Sequence, residues 1–141
     1  MPNLESFPAA SPPRAWAEIN LAHLRQNLGV VNSHQQGDVM AVLKAGAYGH
    51  GMEEIAGALE ALPRDIAPIF FGVASAIEAR RLAHAGMQTR IYLLGATCPF
   101  ERREIVAYRW TPCISSMDEA ADFNQIAQQM IPGDKLKAHL T

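Results

Sequence analysis

Short apolar runs alternate with segments of helical periodicity along most of this chain. Runs rich in branched and aromatic residues predict strands, and apolar residues three and four apart predict helices. The predicted strands cover residues 14–20, 39–44, 69–74, 90–95, 111–115 and 135–140. The first predicted helix begins at Leu21. Four further helices are predicted at residues 52–62, 77–83, 100–108 and 117–130. Strands this apolar, alternating with helices, indicate an α/β protein in which helices cover a parallel sheet.

The helix boundaries carry their own signals. Asn20, Ser75 and Ser116 each stand directly before a helical pattern and are suited to cap it. A unit of roughly 20 to 30 residues fits a β/α barrel as well as an open sheet, and both remain possible on this evidence. Residues 1–13 hold four prolines and predict a flexible leader. No glycine-rich phosphate loop follows a strand, which argues against a dinucleotide-binding fold.

Composition and charge argue against several classes of binding partner. The chain has 141 residues, 49% of them hydrophobic, and a net charge of -2, so nothing attracts it to nucleic acid or to an anionic membrane. No apolar stretch approaches the 18 or so residues of a membrane span, and no secretory signal is recognisable. Cys98 and Cys113 form no metal-ligand pattern, so no metal is expected. We predict that they are buried thiols of a cytoplasmic protein.

A single lysine ends the apolar run at residues 39–44. Small residues, Tyr48 and two glycines follow it at once. A lysine amine held in place and partly out of water can attack a carbonyl in its neutral form. Strand alternation places Val42 and Lys44 on the same side of the sheet, with Lys44 at the C-terminal strand end, where β/α barrels carry their chemistry. The competing interpretation is an ordinary surface lysine.

Residues 42–51 read V-L-K-A-G-A-Y-G-H-G and closely resemble the pyridoxal-phosphate lysine motif of alanine racemases, V-V-K-A-N-A-Y-G-H-G. Gly46 stands where that family carries asparagine, and it offers no amide to hold its neighbours, which predicts a looser loop. The stretches 14–28, 71–79, 91–95 and 111–116 are similar to the family's opening strand and helix and to its second, third and fourth strands. The resemblance therefore covers residues 14–140.

The resemblance implies the N-terminal part of an eight-unit TIM-type β/α barrel. The family's next motif, K-x-D-T-G-M-x-R, would begin about where Thr141 stands. We therefore expect residues 14–141 to form four to five β/α units of an incomplete barrel, which cannot close from that number of strands. On this expectation the chain is a truncated racemase region, and the family's C-terminal β domain is absent.

The resemblance also implies roles for individual residues. Lys44 would bind pyridoxal 5′-phosphate covalently and, once freed, remove the α-proton of an amino acid. Tyr48 would donate a hydrogen bond to the cofactor phosphate, and His50 is expected to be structural. Val42 and Leu94, at inward-facing strand ends, could touch the cofactor ring or simply be core residues. Family members are homodimers in which a partner's tyrosine serves the second face of the substrate. The function implied is conversion of L-alanine to D-alanine for peptidoglycan, with this chain alone inactive.

Other functions stay open beside this one. The chain could be a non-catalytic pyridoxal-phosphate-binding module or a racemase remnant. It could also descend from a serine racemase or a broad-specificity amino-acid racemase. Small pyridoxal-phosphate homeostasis proteins share a barrel and a lysine, but the tail at residues 47–51 and the start at residues 16–19 point to the racemases.

Overall fold

The computed structural model describes residues 15–141, so the predicted leader at residues 1–13 lies outside the described residues. Within them, no helix is long and apolar enough to cross a bilayer. The helical segments are α1 (Leu21–His34), α2 (Lys44–Tyr48), α3 (Met52–Glu60), α4 (Ala76–His84), a 3₁₀ turn (Pro99–Glu101), α5 (Arg102–Tyr108) and α6 (Met117–Met130). The strands are β1 (Met40–Val42), β2 (Phe70–Val73), β3 (Arg90–Leu93), β4 (Cys113–Ile114) and β5 (His139–Leu140).

The strands of the described residues are parallel and follow one another in chain order. Ala41 of β1 lies beside Phe71 of β2, which lies beside Ile91 of β3. A bridge between Tyr92 and Thr111 brings β4 alongside β3, and β5 pairs with β4. The predicted α/β class is confirmed. A doubly wound sheet reverses its strand order at a switch point, whereas this order runs in one direction, as in a β/α barrel.

The helices cover one face of the sheet. Phe71 and Val73 of β2 are fully buried there, and Leu93 of β3 is 1% exposed. They pack in one apolar cluster with buried side chains from all six helices α1–α6, among them Met52, Leu82, Ile105 and Phe123. The other face is less covered and carries a row of aromatic side chains: the rings of Phe70 and Tyr92 meet edge to face at 6.0 Å.

The three predicted helix caps are confirmed. The Asn20 side chain accepts hydrogen bonds from the backbone N–H groups of Ala22 and His23, both at 3.0 Å. Ser75 and Ser116 accept the N–H of the residue three positions later, at 3.4 and 3.1 Å. Each cap satisfies donors that the first helical turn leaves free. Helix α6 begins and ends at the predicted residues.

The predicted first strand is wrong over its described part. Residues 15–20 form no regular secondary structure, and Trp16 is 75% exposed. A strand needs a neighbour for its backbone groups, and no described strand takes up this segment. The remaining strands are shorter than predicted.

Two large apolar residues of the helices are exposed. Val31 of α1 is 50% exposed and Met117, the first residue of α6, is 83% exposed. Cys98 is exposed and Cys113 is half-buried, so the prediction of two buried thiols is wrong. Cys98 precedes the 3₁₀ turn, where its backbone N–H rather than its side chain is engaged, donating to Glu101 at 2.8 Å.

Candidate functional site

Lys44 lies just beyond the C-terminal end of β1. Leu43 carries the chain out of the strand, is only 3% exposed, and donates its backbone N–H to the Gly72 carbonyl of β2 at 2.7 Å. Strand alternation does not reach Lys44, because β1 ends at Val42 and Leu43 has a non-extended backbone. The prediction that Val42 and Lys44 share a strand face is therefore wrong, although the lysine does lie at the C-terminal edge of the sheet.

The residues after Lys44 form a left-handed turn, here called the lysine turn (α2, Lys44–Tyr48). Ala45, Ala47 and Tyr48 have φ values of 53°, 55° and 55°. Left-handed backbone costs an L-residue about 1–2 kcal/mol, so these three residues together store about 3–6 kcal/mol of strain. Backbone strain of this kind collects at functional sites, where surrounding contacts hold it in place.

Hydrogen bonds within the chain hold the lysine turn. The Ala47 N–H donates to the Leu43 carbonyl at 2.7 Å, and the Gly49 N–H donates to Ala45 at 3.0 Å. The Gly51 N–H closes the segment on the Gly46 carbonyl at 3.0 Å. The turn thus reverses the chain direction between β1 and α3 within a few residues.

Gly46 sits in the middle of the lysine turn at φ 64° and ψ 38°. This is the left-handed region that glycine enters freely and asparagine enters more readily than other residues. A β-carbon at this position would meet nothing within 4 Å. The exchange of asparagine for glycine therefore keeps the backbone conformation. The expectation of a looser loop stays a prediction.

Glu78 of α4 ties the lysine turn to β2, a contact that the sequence analysis missed. One carboxylate oxygen accepts the Ala45 N–H and the other accepts the Ala74 N–H, both at 2.7 Å. The sequence contains a signal for this contact. Residues 75–78 read Ser-x-x-Glu, the pattern of a capping box, in which the glutamate side chain reaches back to the backbone that precedes the helix.

Tyr48 and His50 flank the end of the turn. Tyr48 is 59% exposed, and its hydroxyl has no hydrogen-bond partner within residues 15–141, so it is available to a ligand. The ring Nδ1 of His50 lies 2.8 Å from the Ala47 carbonyl, which also accepts the His50 backbone N–H at 3.1 Å. The histidine ring is therefore engaged in holding the turn.

Val42 and Leu94 lie near Gly72 at the same edge of the sheet. Val42 is paired in register with Gly72, and a β-carbon added at Gly72 would lie 3.4 Å from Cδ1 of Leu94. Both apolar side chains are half-buried. The structure thus brings the two predicted ring contacts to one place, beside the strand end that leads to Lys44.

Charge pairing distinguishes Lys44 from most cations on the helices. Arg80 and Arg81 pair with Glu104 and Glu53 at 2.6 and 2.8 Å, and the hydrogen bond from Arg80 lowers the pKa of Glu104. The half-buried Lys44 amine makes no ion pair with any carboxylate in the described part of the chain. Lys135 and Lys137 also make no ion pair with a described carboxylate, so what sets Lys44 apart is its place at the strained turn.

A second carboxylate, Glu119 of α6, occupies the position that corresponds to Glu78. It accepts the Ser115 N–H at 3.0 Å and the Thr97 hydroxyl at 2.9 Å. Burial raises the pKa of Glu119, but these hydrogen bonds and the nearby Arg102 outweigh burial, so its pKa is lowered. Arg102, whose side chain is 13% exposed, lies 3.7 Å from Glu119.

Two clefts of the described residues lie away from the lysine. A cleft of about 520 Å³ runs between α6 and residues 131–138, and one of about 430 Å³ lies near Tyr108 and Trp110. Neither is lined by Lys44 or Tyr48. We place the site at the lysine all the same, because reactive groups and strained backbone coincide there, whereas the clefts are lined mainly by helix ends and loops.

Comparison with known proteins identifies the family. The family model described as alanine racemase, N-terminal domain, matches residues 19–141. Alanine racemase 2 of Clostridium acetobutylicum is 36% identical over 115 residues, which are 80% of this chain and 28% of that protein. An amino-acid racemase of Enterococcus faecalis is 31% identical over 129 residues, 90% of this chain and 17% of the relative.

Solved structures give the same result. The alanine racemase of Clostridium difficile 630 in complex with cycloserine superposes with a TM-score of 0.79 and 31% sequence identity. The match covers 93% of this chain and 34% of that one, so the chain spans about a third of the solved enzyme. The described fold is thus the N-terminal part of a racemase barrel, and the chain belongs to the alanine racemase family.

Proposed function

We propose that this chain provides the lysine-bearing part of a pyridoxal-phosphate-dependent alanine racemase, with Lys44 as the residue that binds the cofactor covalently. One observation carries the proposal: Lys44 lies one residue beyond the end of a barrel strand and opens a strained turn held by many contacts. An ordinary surface lysine requires neither the strain nor the contacts.

The described residues fit the cofactor. When bound, pyridoxal phosphate supplies an aldehyde for a lysine amine and an electron-withdrawing ring for the substrate carbon. Lys44 would hold the aldehyde end, and the exposed hydroxyl of Tyr48 would donate to the phosphate. Val42 and Leu94 would contact the ring and keep water from one of its faces.

Lys44 would also move the proton. Racemisation requires removal of the α-proton from one face and return of a proton to the other. An amine freed from the cofactor can take that proton if its neutral form is populated. The group for the opposite face is expected, from the family resemblance, on a β domain of a partner subunit in a homodimer. We therefore propose that the 141-residue chain binds the cofactor without racemising alanine.

The substrate is the less constrained part of the proposal. Alanine is favoured because the relatives with the higher identities carry that name. A broader substrate range is the second candidate, favoured by the similarity to an amino-acid racemase. A role in making D-alanine for the cell wall, and residence in the cytoplasm, stay predictions.

Reductive trapping tests the cofactor residue. The chain contains three lysines, Lys44, Lys135 and Lys137, so a label is easily mapped. We would incubate the chain with pyridoxal phosphate, reduce it with borohydride and locate the adduct by peptide mass spectrometry. The proposal predicts label on Lys44 well above the exposed Lys135 and Lys137. A matched Lys44→Arg variant should lose that label and keep the other two at their wild-type level. Equal labelling of the three wild-type lysines would refute the cofactor role.

A separate assay tests catalysis. D-alanine formed from L-alanine would be measured for the chain with saturating pyridoxal phosphate. We expect none above the Lys44→Arg background. Turnover by the chain alone would show that it assembles both proton-transfer groups, contrary to the proposal.

A further inference from the structure

The Glu78 carboxylate belongs to one β/α unit and acts on another. It lies in the first turn of α4, after β2, but one of its oxygens accepts the backbone N–H of Ala45, in the turn after β1. The other oxygen accepts the N–H of Ala74, where β2 ends. Its two bonds therefore fix the distance between the C-terminal ends of two neighbouring strands.

The bond to Ala45 acts directly on the lysine. The Ala45 N–H is part of the peptide group that joins Lys44 to Ala45, so Glu78 fixes the peptide plane on the C-terminal side of the lysine. On its N-terminal side, the Leu43 N–H is held by the Gly72 carbonyl at 2.7 Å. Both anchors belong to the β2–α4 unit. Hydrogen bonds to the β2–α4 unit thus hold the backbone on both sides of Lys44.

Charge makes the Ala45 bond a strong one. A carboxylate accepting a backbone N–H forms a stronger bond than a neutral carbonyl does, and both Glu78 oxygens lie 2.7 Å from their donors. The left-handed turn begins at Ala45, at φ 53°. Glu78 therefore acts at the residue where the backbone enters the strained conformation.

We propose that Glu78 is a positioning residue, which sets the direction of the Lys44 side chain by holding the Lys44–Ala45 peptide group. The inference rests on the proposed function, because it concerns the reactivity of the same lysine. Glu78 does not touch the amine. It acts through the backbone, and its loss lets the turn sample other conformations.

Glu119 supplies the matched control. It occupies the same place in a second Ser-x-x-Glu sequence, residues 116–119, and it bonds to Ser115 and to Thr97 in the preceding loop. That loop carries no lysine. Glu78→Gln and Glu119→Gln both remove a carboxylate that ties two units together, but only the first one reaches Lys44.

The test measures the rate of borohydride-trapped labelling of Lys44 by pyridoxal phosphate, at a temperature where circular dichroism shows each variant to be folded. Lys135 and Lys137 serve as internal references. We expect Glu78→Gln to slow labelling of Lys44 by between about tenfold and about 100-fold, because small displacements of a reacting group cost this much. Labelling of the reference lysines, and of Lys44 in Glu119→Gln, should be unchanged.

Amide hydrogen exchange gives a readout without cofactor. In Glu78→Gln the Ala45 and Ala74 amides should exchange faster, while the amides of β3 keep their wild-type rates. If Glu78→Gln fails to fold, Glu78→Asp replaces it, since the shorter carboxylate keeps the charge but cannot span both amides.

The outcomes separate the two proposals. A Lys44 that labels no better than the references in the wild type overturns the proposed function. A Lys44 that labels preferentially, and equally fast in the wild type and in both Glu78 variants, overturns the positioning role alone. Slowing of equal size in Glu119→Gln would also overturn it, because the effect would then be a general loosening of the fold.

Discussion

Replacing Gly46 by alanine tests whether the lysine turn is left-handed and strained. Gly46 lies at φ 64°, and a β-carbon there meets no atom within 4 Å. Steric conflict with neighbours therefore plays no part, and the backbone conformation alone decides the effect. Asparagine at the same position is the informative comparison, because it tolerates this conformation better than alanine does.

The size of the effect follows from two opposing terms. Left-handed backbone costs alanine about 1–2 kcal/mol in the folded chain. Alanine also lowers the conformational entropy of the unfolded chain relative to glycine, which stabilises the fold by about 0.4–1 kcal/mol. We therefore expect Gly46→Ala to lower the free energy of unfolding by about 0.5–1 kcal/mol, which is about 2–4 °C in Tm for a domain of this size. Gly46→Asn should lower the free energy of unfolding by less than Gly46→Ala does.

Urea and thermal unfolding followed by circular dichroism would measure these differences. Gly29 is the matched control, since it lies inside helix α1 and a β-carbon there also meets nothing within 4 Å. Gly29→Ala should stabilise the chain by about 0.5–1 kcal/mol, the opposite sign. If Gly46→Ala were as stable as the wild type, or if Gly46→Asn lost as much as Gly46→Ala, the left-handed turn would not be the native conformation.

Three further outcomes are expected. The pKa of Glu119 is lowered in the folded chain, so its stabilising contribution is present above the unfolded carboxyl pKa of about 4.3 and is lost as pH falls through the folded value. Glu119→Gln should therefore flatten the decline of Tm below about pH 4.3 relative to the wild type. Gly95→Ala should destabilise the chain by about 1–3 kcal/mol in urea unfolding, because the new β-carbon would lie 2.3 Å from the Ala74 carbonyl oxygen. The exposed Cys98 should react with Ellman's reagent before the half-buried Cys113 does, and Cys98→Ser should remove the fast phase.

Local chemistry made the helices predictable. Asn20, Ser75 and Ser116 cap helices by contacts that span two or three residues, so their effect is written in adjacent positions. The bounds of α6 followed from such a cap and a clear apolar period. Strand ends were predicted less well, because they depend on the neighbouring strand and not on the strand's own residues. The segment at residues 15–20 shows this most clearly.

The sequence names candidate site residues but not the shape of the turn that carries them. The sequence pointed to Lys44, Tyr48, Val42 and Leu94, and the structure gathers them at one edge of the sheet, although their roles remain proposals. The left-handed backbone could not be foreseen, since alanine and tyrosine do not favour it and contacts from elsewhere impose it. Glu78 could have been found from its Ser-x-x-Glu pattern, although its reach to Ala45 depends on strand order.

Helix α4 is fastened on both sides. Besides Glu78, it carries Arg80 and Arg81, whose ion pairs lead to α5 on one side and α3 on the other. Any shift of this helix is therefore transmitted to the peptide group beside Lys44. We therefore expect substitutions on the outer surface of α4 to change the rate at which pyridoxal phosphate labels Lys44, without altering the residues proposed to touch the cofactor.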